Sequence, residues 1–276
     1  MGRSFLFVPA TFEKYFSKIK TIEADKIVLD LEDSIDINQI SIAYDLIKKF
    51  NKILLSKKVF ARVPMEISNY KTLNFLVKNG ICGFVLPKVL SIGELNKILK
   101  NIKRLKKKVD LILLAETSFS IINLDKLVKL SKQFKGIMFG HEDYSLDVKI
   151  FEDKNKNKFV YAREKIIAVA NCNNLIPIDS PFLAIKDMKG FKNYIKDSKN
   201  IGFKGVICLS PSQCTVANEG FIPDKKLYEL SKKIIKISEK NNLKKKILYH
   251  DSIFIGPPII KQSNLIVKTY EKYKKK

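Results

Sequence analysis

Residues 110–117 read Asp-Leu-Ile-Leu-Leu-Ala-Glu-Thr, an unbroken apolar run between two carboxylates. A run this short and continuous suits a strand buried on both faces, as in a parallel sheet, where a half-exposed strand would alternate and a helix would run longer. Working outward, similar segments begin near 4 (SFLFVP), 26 (KIVLDLE), 57 (KKVFARVP) and 83 (GFVLPKV) on one side. On the other they begin near 136 (GIMFGHED), 176 (IPIDSPF) and 205 (GVICLSP). Consecutive starts are 22, 31, 26, 27, 26, 40 and 29 residues apart. Apolar residues at helical spacing fill the gaps: Leu73, Leu76 and Val77; Leu95, Ile98, Leu99 and Ile102; Leu124, Leu127, Val128 and Leu130. Eight strand-then-helix units of this length predict an α/β fold, a (β/α)8 TIM barrel. A doubly wound sheet is the alternative, but it usually has fewer strands and a glycine-rich phosphate turn, and neither G-x-G-x-x-G nor G-x-x-x-x-G-K-[ST] occurs here. The barrel is assigned to residues 1–223 and a C-terminal extension or lid, one lysine-rich helix and a tail, to 224–276.

Composition narrows the class. With 46% apolar residues, 18 Phe and 10 Tyr among 276 residues, the chain has ample material for a core and is not a low-complexity polymer. No apolar run approaches the roughly 20 residues of a membrane span. Phe5–Ala10 is too short for a signal sequence and meets Glu13-Lys14 at once, and Leu6 breaks a myristoylation pattern. Four cysteines without C-x-x-C spacing suit a reducing compartment, so a folded cytoplasmic protein is expected. Cys82, Cys172 and Cys208 are read as packing in or against the core. The net charge of +24 would ordinarily suggest nucleic acid, but it comes from 48 lysines and only four arginines, at 3, 62, 104 and 163. Readers of phosphate and guanine lean on the guanidinium fork, which an ammonium cannot copy. The excess is therefore read as a lysine bias on solvated faces. Attraction of a phosphorylated small molecule is the second reading and nucleic acid the third. Where lysine is used so freely, the few arginines mark positions that need a planar fork.

Catalysis in such a barrel sits at the C-terminal ends of the strands. Those ends present Glu32 and Asp33, then Arg62, Lys88, Glu116, Asp143, Asp179 and Ser210. Glu116 and Asp143, on neighbouring strands, suit an oxygen-ligated Mg²⁺, and Arg62 suits a substrate carboxylate or oxyanion. A metal beside an arginine stabilises an enolate, which favours aldol-type carbon–carbon cleavage. Simpler readings exist: the carboxylates as helix caps, Arg62 as a structural pair of Glu32 or Asp33. His141 reads as a loop residue and His250 as a surface one, so neither supports a nucleophilic triad.

The series Arg3-Ser4-x-Leu6-x-Val8-Pro9, Leu29-Asp-Leu-Glu-Asp33, Ala61-Arg-Val63, Leu86-Pro-Lys88, Glu116-Thr117, Phe139-Gly-x-x-Asp143, Tyr161-Ala-Arg163, Ile178-Asp179 and Gly202-Phe-x-Gly205 resembles the HpcH/HpaI aldolase and citrate lyase β-subunit family almost from end to end. The resemblance implies a (β/α)8 barrel with a C-terminal lid, assembled as trimers or hexamers. It also implies Mg²⁺-dependent cleavage or formation of citryl-, malyl- or citramalyl-CoA. By it, Glu116 and Asp143 take the metal-ligand positions, Arg62 holds the substrate's acid end, and Glu32 and Asp33 lie near the metal's waters. Phe7, Lys14 and Lys18 match positions that contact the CoA thioester and its phosphates, and the two lysines share a helix face.

Three departures stand out. Val206 follows Gly205 where the family usually has Lys. Leu209-Ser-Pro-Ser-Gln213 stands for Ile-His-Pro-x-Gln. The lid motif Gly-x-Met-Ile-Asp-x-Pro reads Ser252-Ile-Phe-Ile-Gly256-Pro-Pro258, with Gly256 in place of the acid/base Asp and Asp251 the nearest substitute. A proton-transfer group contributes about 10²–10⁴-fold. The expected activity is therefore a Mg²⁺-dependent lyase acting on a short 3-hydroxyacyl-CoA. A thioesterase on the same site and a non-catalytic acyl-CoA or partner-binding barrel are the alternatives.

Overall fold

In the computed structural model, which describes residues 2–150, 159–241, 248–250 and 253–274, eight parallel strands close into a barrel in sequence order. They are β1 (Ser4–Pro9), β2 (Lys26–Asp30), β3 (Val59–Arg62), β4 (Ile81–Leu86), β5 (Asp110–Ala115), β6 (Phe134–Phe139), β7 (Ile176–Asp179) and β8 (Gly205–Cys208). The ring closes where Ser4, Phe5 and Leu6 pair with Val206, Ile207 and Cys208. One buried cluster takes residues from every strand: Phe5, Val28, Phe60, Val85, Ile112, Leu114, Met138, Ile178 and Ile207. This is the barrel interior. Alternate positions such as Leu6, Ile27, Ala61, Phe84, Leu113 and Ile137 face outward and are just as buried. Burial on both faces is why the strands read as continuous apolar runs.

The helices follow in the gaps: α1 (Glu13–Lys18), α2 (Ile40–Lys49), α3 (Asn51–Leu55), α4 (Tyr70–Lys78), α5 (Ile92–Lys103), α6 (Ser118–Ile122), α7 (Leu124–Lys129), α8 (His141–Asp147), α9 (Val160–Cys172), α10 (Met188–Ile201) and α11 (Pro211–Gly220). The predicted apolar stripes are buried at Leu73, Leu76, Leu95, Ile98, Leu124 and Leu127, whereas Leu130 lies past the end of α7 and is exposed. Side chains of Asn69, Ser91, Thr117 and Asp187 accept the N–H groups that begin their helices. Cys82 is half-buried and Cys208 and Cys214 buried, but Cys172, at the solvated end of α9, is exposed and does not join the core.

The chain divides into two compact units, residues 1–218 and 219–276. The second holds α12 (Lys225–Lys240), a two-stranded antiparallel ribbon of β9 (Leu248–His250) and β10 (Ile253–Ile255), and α13 (Pro257–Lys274). Where the sequence suggested one helix and a tail, there are two helices. Pro257 and Pro258 occupy the first turn of α13, where a missing N–H costs nothing. Ile234 and Ile255 form this unit's small core with Ile237, Leu248, Ile259 and Ile260 against them, and Tyr228 stacks on Tyr270 at 4.1 Å. Among the described residues, no helix is long and apolar enough to cross a membrane.

Candidate active site

A cavity of about 340 Å³ opens at the C-terminal mouth of the barrel. Its apolar wall includes Phe7, Leu114, Pro181, Ile207 and Leu209; its polar side chains are Asp30, Asp33, Ser34, Arg62, Glu116, His141, Glu142 and Asp143. Asp30 and Arg62 are the last residues of β2 and β3, Glu116 follows β5, and residues 141–143 form the first turn of α8.

Arg62 is almost buried and its fork is already engaged. Nε and NH2 donate to the two carboxylate oxygens of Asp30 at 2.6 and 2.7 Å, and NH1 donates to Asp33 at 2.9 Å. Glu32 lies 3.1 Å from NH1, and the Phe7 ring lies 5.4 Å from the guanidinium carbon. Asp30 is held in turn by the backbone N–H groups of Glu32 and Ser34, each at 3.2 Å. Lys88 bridges the same acids, with Nζ 2.7 Å from Asp33 and 3.2 Å from Glu32. Burial works against the Arg62 charge, but Asp30, Glu32 and Asp33 together raise its pKa, so it stays a cation. Lys88 is likewise raised, burial being outweighed by Asp33 and Glu32. Burial pushes Glu32 above the usual carboxylate range despite Arg62. For Asp33 burial loses instead to the Lys88 hydrogen bond and the Arg62 charge, which hold it below that range.

Glu116 stands apart from this network. It is 1% exposed, and its Oε1 accepts the backbone N–H of Lys88 at 2.7 Å. Lys88 reaches that position with a φ of +45°, a left-handed conformation rare for a side-chain-bearing residue and typical of functional loops. Thr117 and Ser120 form a reciprocal capping box at the start of α6, and the Thr117 hydroxyl donates to the Val89 carbonyl at 3.0 Å. These contacts fix the chain on both sides of Glu116. Opposite, Gly140 leaves a hollow that Glu116 fills: a Cβ there would lie 2.6 Å from Glu116 Oε2. Burial, then the like charge of Asp143 and Glu32, pushes the Glu116 carboxyl up to about 8.

Hard oxygen donors on one wall suit Mg²⁺, which commonly takes one or two protein carboxylates and keeps several waters. Glu116 and Asp143 line the same cavity, and the charge of Asp143 disfavours that of Glu116, which a bound cation would relieve. Among the described residues no group of three or more His, Cys, Asp or Glu forms a closed metal cage. The donor set, two carboxylates on one cavity, fits a hydrated Mg²⁺.

Of the residues singled out in the sequence, Phe7, Asp33, Arg62, Glu116 and Asp143 line the cavity. Glu32 does not; it is packed between Arg62 and Lys88. Lys14 and Lys18 are exposed on α1 and do not line it either. His141 lines the cavity, with Nε2 2.6 Å from Glu142, so it is more than a loop residue. Asp179 is a correction. Ile178 takes the inward position on β7, so Asp179 points to the opposite face, fully buried, where it accepts from Arg163 and from the Ser198 hydroxyl. Ser210 caps the start of α11 and does not line the cavity. Asp251 lies outside the described residues. Sequence reading passed over Asp30, the partner that sets Arg62. Counting by twos from the inward Val28 would have found it.

Comparison with known proteins bears on the fold and the family. The HpcH/HpaI aldolase/citrate lyase family pattern matches residues 3–211. Human mitochondrial citramalyl-CoA lyase is 26% identical over 99% of this chain and 87% of its own length. The citrate lyase subunit beta of Leuconostoc mesenteroides subsp. cremoris is 22% identical over 97% of this chain and 93% of its own. Among solved structures, the protein CitE from Mycobacterium tuberculosis, in complex with magnesium, acetoacetate and coenzyme A, superposes with a TM-score of 0.81 at 19% identity, covering 98% of each chain. A citrate lyase from Burkholderia xenovorans LB400 gives 0.84 at 13% identity, over 99% of this chain and 92% of its own. At those identities the structural matches establish the barrel, and the matched sequence pattern, which spans all eight strands, establishes the lineage: the chain belongs to the HpcH/HpaI aldolase/citrate lyase family.

Proposed function

We propose that this protein is a Mg²⁺-dependent carbon–carbon lyase that cleaves a short 3-hydroxyacyl-CoA, of the citryl-, malyl- or citramalyl-CoA kind, into an acetyl-CoA-type thioester and a keto acid. One observation carries the reading: a permanently cationic arginine and two carboxylates, Glu116 and Asp143, line a single apolar-walled cavity at the barrel mouth. The relatives named as citramalyl-CoA lyase and citrate lyase subunit beta support it. So does the CitE structure holding magnesium and coenzyme A.

Cleavage removes the hydroxyl proton, breaks the bond between the carbinol carbon and the carbon beside the thioester, and leaves the electron pair on the latter, which then takes a proton. Bound at Glu116 and Asp143, Mg²⁺ would supply Lewis-acid stabilisation of the keto-acid half. Arg62 supplies a fixed positive charge for the substrate's acid end, and Asp30 holds the plane of the fork. The substrate carboxylate gains access by replacing Asp33, whose side chain is 46% exposed and whose bond to NH1 is the least costly of the set to exchange. Phe7 and the apolar wall exclude water from the thioester carbon, and Lys14 and Lys18 offer charge to the CoA phosphates. A second reading, thioester hydrolysis or binding without turnover on the same site, is favoured by Gly256. Its carbonyl accepts the Ile260 N–H at the start of α13, but it has no side chain with which to move a proton.

The test is incubation with malyl-, citramalyl- and citryl-CoA, with Mg²⁺ or with EDTA, following the CoA products by mass. Metal-dependent release of acetyl-CoA and a keto acid is expected. Free CoA would establish a thioesterase, and intact substrates with measurable binding would establish the non-catalytic barrel.

A further inference from the structure

We propose that the opposite, N-terminal end of the barrel carries a second binding site, one for a short-chain organic acid, with the ligand's apolar chain against the barrel floor and its carboxylate at Lys26.

A separate cavity of about 230 Å³ opens there. Phe5, Phe60, Ile112 and Ile178, from the lower layers of the barrel interior, form its floor, and Lys26, Lys58 and Lys135 reach it from three strand starts. Asp110 is the carboxylate in its lining and Asn174 the amide. The N-terminal face of a (β/α)8 barrel normally serves stability alone, so a lysine set into the barrel interior beside a cavity there needs a cause. Lys58 and Lys135 are exposed at the rim, and Lys135 Nζ donates to the Lys132 carbonyl at 3.4 Å. Lysine bias, which puts lysines on solvated positions, covers Lys58 and Lys135 but not Lys26. Lys26 holds an inward position: β2 alternates Lys26, Val28 and Asp30 on the face that elsewhere fills the barrel and lines the mouth.

Lys26 is half-buried, and among the described residues no carboxylate lies within ion-pair distance of its Nζ; the ammonium sits 5.4 Å from the centre of the Phe60 ring. Burial and then the neighbouring Lys58 lower its pKa, with Asp110 and Asp25 acting in the opposite sense from beyond contact distance. A half-buried cation with no carboxylate in contact gains by being paired. An entering carboxylate would pair Lys26 and offset the mutual repulsion at the rim. The apolar floor decides the rest of the ligand. A cavity of about 150 Å³ accommodates benzene, so this one accepts a hydrocarbon chain of similar carbon number beneath an anionic head. The inference does not depend on the reaction proposed for the mouth.

The probe is hexanoate, titrated into the full-length protein by isothermal calorimetry and by NMR, with hexan-1-ol and sulfate as the apolar and ionic halves presented alone. Saturable one-to-one binding is expected, about tenfold tighter than either half. Lys26→Met, which keeps an unbranched stem and removes the charge, is expected to weaken it by about tenfold, and Arg62→Met by less than about twofold. Should Lys26→Met not fold, Lys58→Ala/Lys135→Ala, on the exposed rim, is read in the same titration and is expected to weaken binding severalfold. The proposal is overturned by an absence of binding at millimolar hexanoate, by equal binding of hexan-1-ol or sulfate, or by sensitivity to Arg62→Met in place of the lysine variants.

Discussion

At the scale of single residues, the four arginines explain the lysine bias by exception. Arg3 forks onto Asp25 at 2.8 and 2.9 Å, Arg62 onto Asp30, and Arg163 donates to the buried Asp179. Arg104 lies over the Tyr70 ring, its guanidinium carbon 4.5 Å from the centroid. Each uses planarity, which lysine lacks. Arg62→Lys is accordingly expected to lower kcat/KM by about 10- to 100-fold, because an ammonium cannot face Asp30 bidentately and the substrate acid together. Steady-state kinetics on the best CoA ester decides this, and full activity would refute the role of the fork. Glu116 gives a second expectation. The unfolded carboxyl ionises near 4.5 and the folded one near 8, so between those values the native state holds a proton that the unfolded chain has lost. The stability contributed by neutral Glu116 is therefore complete below about pH 4.5 and is lost as pH rises through 8. Glu116→Gln in metal-free buffer is expected to flatten the decline of Tm between pH 5 and pH 8.5, a change that thermal scans would read. Which residues serve the site was legible where type and chain position sufficed, as for Arg62, Glu116 and Asp143. It failed where side-chain direction decided: Asp30 points in and Asp179 points away, and one step along a strand reverses the face.

At the scale of elements, the site is built by strand ends and the turns after them. The left-handed Lys88 aims one N–H at Glu116, the Thr117 cap fixes the strand exit, and Gly140 leaves the space that Glu116 occupies. Gly140→Ala is expected to displace Glu116, since the new methyl would lie 2.6 Å from both its Cβ and its Oε2. We expect destabilisation of about 1–3 kcal/mol and at least tenfold weaker dependence of turnover on Mg²⁺, checked by denaturant unfolding and by Mg²⁺ titration. Thr117→Ala is expected to cost about 1–3 kcal/mol in denaturant unfolding, because it removes both the cap and the hydrogen bond to the Val89 carbonyl. These devices were invisible as chemistry in the sequence, because a glycine and a capping threonine act through the shape they permit. The strands themselves were legible, since burial on both faces leaves a continuous apolar signal. The second helix of the C-terminal unit was not, its apolar stripe being diluted by lysines.

At the scale of the whole molecule, a net charge of +24 on 276 residues sets a background repulsion that the folded state must carry. Raising NaCl from 10 to 300 mM is expected to increase Tm by a few degrees, as screening shortens the reach of that field, and differential scanning calorimetry would show it. A fall in Tm would mean that the exposed ion pairs outweigh the repulsion. The barrel carries this load as a ring with one seam. β1 meets β8 there, the Arg3 side chain holds Asp25 and the Asn218 carbonyl together, and the Ser4 hydroxyl reaches the Asn218 side chain. Residue 3 and residue 218 are thus neighbours, although nearly the whole barrel separates them along the chain. Within residues 1–218, a ring whose first and last elements are already clasped has no preferred starting point, so joining residues 3 and 218 of that unit by a short linker and opening an outer loop elsewhere is expected to give a circular permutant in which the same eight strands meet in the same cyclic order.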